Sequence, residues 1–72
     1  MAFEYNKLVG RIVEKYGTRA AFAAAVGMTE SALSARLNNK TPFSAPEISR
    51  ACAALGIPES DISTYFFTLK VE

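Results

Sequence analysis

Seventy-two residues, half of them apolar, suffice for one packed domain, leave no room for a second and exclude a disordered chain. A net charge of +1 falls well short of the strongly basic balance that announces nucleic-acid binding. With one cysteine, no histidine, no bilayer-length apolar run and no leader-like start, the expectation is a cytoplasmic protein without disulfide, metal, cofactor or membrane contact.

Over residues 3–16, Tyr5, Leu8, Val9, Ile12 and Tyr16 share one face, and Glu4, Lys7, Arg11, Glu14 and Lys15 the other, which predicts an amphipathic first helix. Gly10 weakens it by about 1 kcal/mol against alanine. Gly17 suits the left-handed end of that helix, and Thr18 caps a second helix running to about Val26. Gly27 ends it, Met28 turns inward, and Thr29 caps a third helix that stops at Asn38-Asn39. Phe22 and Val26 form one apolar ridge, Leu33 and Leu37 another, each spaced four apart. Alanines at 21, 23 and 25 let the two helix axes come close. Two short helices about a tight turn are the geometry of a helix-turn-helix, which presents its second helix to the major groove of DNA.

Pro42 keeps Lys40–Phe43 a loop. Ser44-Ala45-Pro46-Glu47 is a capping box with proline in the first turn, the clearest local signal in the chain. The fourth helix follows with Ile48, Ala51, Cys52 and Leu55 on one stripe and closes at Gly56. Cys52 reads as a small hydrophobe, since no histidine is present to activate it. Pro58-Glu59-Ser60-Asp61 opens a short fifth helix burying Ile62 and Tyr65 or Phe66. From Phe67 the rhythm changes to a strand's: Phe67, Leu69 and Val71 alternate with Thr68, Lys70 and Glu72. The predicted fold is therefore all-α, a compact bundle of about five short helices with a short extended C-terminal tail. It forms a single domain over 1–72, with the motif at about 18–38 and a tail at 66–72.

The stretch TRAAFAAAVGMTESALSARLNNK followed by SAPEISRACAALGI resembles the repressor/Cro (XRE-like) class of helix-turn-helix proteins of phages and bacteria. Thr18, Phe22, Ala23, Val26, Gly27, Met28, Thr29, Leu33, Ser34, Asn38, Lys40 and Ala54-Leu55-Gly56-Ile57 follow its pattern in order and spacing. The whole chain is most similar to small Cro-like proteins of temperate phages of Gram-positive bacteria. Two positions depart from the pattern. Asn38-Asn39-Lys40 stands for the usual Asn-Gly-Lys, and Arg36 occupies a position that is commonly apolar.

The resemblance implies a sequence-specific transcriptional regulator, a Cro-like repressor working in the bacterial host and binding operator DNA as a dimer. It places base contacts at Glu30, Ser31 and Ala35, and the helical step turns Ser34 outward beside them as a further base contact. For Glu30 the plainer role, an acid favoured by the dipole in a first helical turn, carries more weight. Phosphate anchors are expected at Thr18, Arg19, Thr29, Arg36, Asn38, Asn39 and Lys40, with Arg36 either reaching the backbone or lying over the core. Arg11, Lys15 and Arg50 read as solvated charges. Phe67, Leu69 and Val71 either pair with a second copy or fold back over the chain's own core, and the dimer is favoured. Charge supports a DNA-facing side: seven Lys/Arg against four acids through residue 50 leave +3, and one against three afterwards leave −2. The rival reading is a protein-interaction module, antirepressor or antitoxin-like, that keeps the architecture without DNA binding. Near-neutral charge and a third helix of small residues speak for it. Nothing supports an enzyme: paired carboxylates and glycine-rich phosphate loops are both missing.

Overall fold

Two pairs of helices and a short fifth enclose the core. A computed structural model describes residues 2–70. Its α-helices are α1 (Asn6–Tyr16), α2 (Arg19–Ala25), α3 (Glu30–Leu37), α4 (Ala45–Leu55) and α5 (Ile62–Phe66), the last entered through one 3-10 turn at Glu59–Asp61. This is the expected all-α bundle. The first helix begins three residues later than its amphipathic pattern predicts, because residues 3 and 4 are drawn into extended pairing with the tail.

Local chemistry sets the helix ends. Thr18 Oγ1 accepts from the Ala21 amide at 3.1 Å and Thr29 Oγ1 from the Ala32 amide at 3.0 Å, each closing a first turn. Ser44 and Glu47 form the full reciprocal box at the start of α4. α2 ends at Gly27 with φ +73°, where Met28 donates to Ala23 O. α3 ends in the same way, but its left-handed residue is Asn39 at φ +62°, with Lys40 donating to Ala35 O at 2.9 Å.

Leu8 and Ile12 of α1, Phe22 of α2, Leu33 of α3, Leu55 of α4 and Phe66 of α5 are fully buried, so every α-helix contributes to one core. An aromatic chain crosses its lower side: Tyr5, Phe43 and Phe66 meet edge-on at 5.5 and 5.2 Å. Cys52 is half-buried and burial pushes its thiol up from the ordinary value, which keeps it protonated.

Two of the three cations read as solvated also tie into the fold. Arg11 donates from Nε and Nη2 to Leu55 O at 3.0 and 2.9 Å, and Arg50 donates from Nε to Val26 O at 3.0 Å. Each holds a guanidinium at a helix C-terminus, where unpaired carbonyls and the dipole both favour it. They brace the frame that positions α3.

Candidate interaction surface

α3 presents its outer side as part of an open cleft. Arg19 from the start of α2, Glu30, Ser31, Ser34, Ala35 and Asn38 from α3, and Lys40 beyond it line this surface together. All four residues expected to touch bases are therefore gathered, beside three of the expected anchors. Asn38 Nδ2 lies 3.3 Å from Ser34 Oγ, within reach of a hydrogen bond along the helix. Thr18 and Thr29 belong to the helix caps described above.

The other two expected anchors are engaged by partners within the chain. Arg36 grips Glu47 with two contacts of 2.8 Å, Nε to Oε1 and Nη2 to Oε2, and donates from Nη1 to Ala32 O at 3.0 Å. The two side chains are 18% and 13% exposed, so the pair is largely shielded from water. It carries the carboxylate of the α4 capping box, and Glu47 Oε1 also accepts from the Ser44 amide at 2.8 Å. The Arg36 guanidinium, with the Ser44 contacts, holds the Glu47 carboxyl down at about 2. The structure thus resolves the alternatives for Arg36: it ties α3 to α4.

Asn39 is turned toward the N-terminal segment. Its carboxamide takes both polar groups of Phe3: the Phe3 amide donates to Oδ1 and Nδ2 donates to Phe3 O, each at 2.9 Å. Phe3 in turn pairs antiparallel with Leu69, flanked by Glu4 N to Thr68 O at 2.7 Å and Lys70 N to Ala2 O at 2.9 Å. The tail therefore pairs with the chain's own N-terminal segment without laying Phe67 and Leu69 over the core. Phe67 packs edge-on against Phe3 at 5.6 Å yet stays 48% exposed, and Leu69 is 50% exposed. Val71 lies outside the described residues. Beside Phe3 and Phe67 opens a small apolar cleft of about 180 Å³, floored by Phe43 and Phe66.

Asn39→Gly tests the clamp. Glycine takes φ +62° with ease but cannot hold Phe3, so the variant is expected to be about 1 kcal/mol less stable in urea melts despite its freer backbone. An equal or higher midpoint would deny the carboxamide its structural role.

A family model described as a protein of unknown function, DUF739, matches residues 1–69. The chain belongs to the DUF739 family. This DUF739 member is similar, among solved structures, to the solution structure of the modulator of repression (MOR) of the temperate bacteriophage TP901-1 from Lactococcus lactis. Identity is 40%, the TM-score 0.83, and the match covers 100% of this chain and 97% of that one. No curated protein matches the sequence significantly.

These findings correct the functional expectation. The repressor/Cro family, the Cro-like operator-binding repressor, and double-stranded DNA as partner of a homodimer give way to a family member resembling a modulator of repression over its whole length. Of the residues given DNA-contact roles, Arg36 and Asn39 are committed to partners within the fold. The physical reason is visible in the same residues. The outer side of α3 offers hydroxyls, a methyl and an acid, which discriminate bases weakly. Arg36, the cation that α3 would have offered to a phosphate, is paired with Glu47 within the fold. Both departures from the repressor pattern, Arg36 and Asn39, are internal ties of the third helix.

Proposed function

We propose that this DUF739 chain is a phage-encoded protein-interaction module that modulates repression by binding a repressor protein. The observation that carries this reading is the 40% identity to the modulator of repression with nearly complete mutual coverage. The shielded pairing of Arg36 with Glu47 supports it, since that guanidinium is taken up inside the fold and the carboxamide of Asn39 is taken up by Phe3. The module acts by binding, with no reaction of its own, inside the bacterial host cell. None of its helices is long and apolar enough to cross a membrane, among the described residues.

The test combines calorimetry of the purified chain against the repressor of the same phage genome with mobility shifts on that repressor's operator. The chain alone is expected to leave operator DNA unshifted even at low salt, to bind the repressor, and to change the repressor's own shift. A salt-dependent shift by the chain alone, with no effect on the repressor, would overturn the reading.

A further inference from the structure

The short ribbon formed by the single antiparallel bridge between Phe3 and Leu69 has one closed edge and one open edge. Phe3 and Leu69 face each other with flanking bonds from Glu4 to Thr68 and from Lys70 to Ala2, the pattern of a non-hydrogen-bonded antiparallel pair. In such a pair the amide and carbonyl of both residues point outward, away from the partner strand. On the Phe3 side the Asn39 carboxamide meets both, standing in for a third strand. On the Leu69 side neither group meets a partner among the described residues.

That open edge is also apolar. Phe67 and Leu69 are two of the three large hydrophobic side chains left exposed among the described residues, at 48% and 50%. Phe3, Phe67 and Leu69 lie on one face of the ribbon, and the 180 Å³ cleft between Phe3, Phe43 and Phe67 is on that same side. An unpaired strand edge with an apolar flank is a template for another extended chain, and proteins ordinarily cover it or charge it.

The geometry points to strand addition: an extended segment of the protein partner docks along the outer edge at Leu69, pairing with its amide and carbonyl. An apolar side chain of that segment lies over Phe67 and Leu69, with the small aromatic cleft beside it. Lys70 makes no ion pair among the described residues and points to the opposite face, so an acidic residue next to the apolar one completes the match. A second copy fits less well. Antiparallel pairing centred on Leu69 would bring two Lys70 side chains onto one face across the ribbon, where like charges repel. This rests on the reading of the chain as a repressor-binding module.

Leu69→Pro separates the two. Proline removes an amide that the fold itself does not use and is tolerated on an edge strand. Wild-type chain is expected to bind the repressor, and Leu69→Pro to bind at least about 10-fold more weakly with an unchanged melting temperature, a loss of about 1.4 kcal/mol. Repressor binding that is equal in both proteins overturns the edge while leaving the function intact. No binding by wild type overturns both. Should Leu69→Pro unfold, amide hydrogen exchange on the wild-type chain decides: addition of the repressor is expected to slow exchange at Leu69, and an unchanged rate rejects the docking. A concentration-dependent doubling of mass that Leu69→Pro abolishes would assign the edge to a second copy and overturn the proposal.

Discussion

Phe66→Ala is expected to cost about 3–5 kcal/mol, a large share of the roughly 4–11 kcal/mol available to a domain of this length. Phe66 is 1% exposed and closes the lower side of the core from the last helix. It meets Phe43 edge-on at 5.2 Å, and Phe43 meets Tyr5 at 5.5 Å, so its loss opens a cavity beside the Phe43 ring and breaks the end of that aromatic chain. The damage reaches beyond the core. Phe66 is the last residue of α5, and the segment that follows runs directly into the Thr68–Lys70 side of the ribbon. Urea melts followed by far-ultraviolet circular dichroism check the size of the effect. Phe66→Leu, which keeps most of the volume, is expected to recover more than half of it. A Phe66→Ala midpoint within error of wild type would mean that this ring does not hold the bundle together.

What could be read in the sequence was local. Thr18, Thr29 and the Ser44–Glu47 box announce helix starts because a cap and the amide it satisfies lie three residues apart. Gly27 and Gly56 announce stops because the left-handed conformation excludes most other residues. Leu33 and Leu37 share one ridge by their spacing of four, and both are buried. What could not be read was set by partners far away in the chain. Asn39 meets Phe3 across 36 residues, Arg11 meets Leu55 across 44, and Arg50 meets Val26 across 24. The one usable signal was departure from pattern. Asparagine can take the glycine's conformation, but it also brings a carboxamide, and arginine at a commonly apolar position needs an acid to justify it. Glu47 was in view as a capping residue, which hid its second role. Function misled for a deeper reason. The rhythm of a helix-turn-helix records how α2 packs on α3, and that packing is the same whether the exposed side meets a groove or a protein.

The pair that fixes α3 against α4 should be the main source of acid sensitivity that can be assigned to one side chain. Glu47 sits at about 2 in the folded chain against an ordinary 4.5, because Arg36 and the Ser44 contacts favour its ionised form. A depressed carboxyl stabilises the fold at pH values above its unfolded value, and that contribution is lost as pH falls from about 4.5 toward 2. Glu47→Gln isolates the charge. Glutamine still reaches back to the Ser44 amide, so the box survives while the ionic grip on Arg36 does not. The variant is expected to be about 2 kcal/mol less stable than wild type at pH 7, the scale of a shielded, hydrogen-bonded ion pair losing one charge. The gap should narrow through pH 4 and close near pH 2, where wild-type Glu47 is itself becoming neutral. Urea midpoints for the two proteins at pH 7, 4.5, 3.5 and 2.5 measure it. A gap that stays constant with pH would show that the loss comes from packing and not from the charge. Because the same pair orients α3, a docking surface on that helix should weaken over the same interval, whereas one confined to the Leu69 edge should follow the stability of the ribbon alone. The pH profiles of repressor binding by wild type and Glu47→Gln, compared, therefore separate the two faces of the molecule with a single substitution.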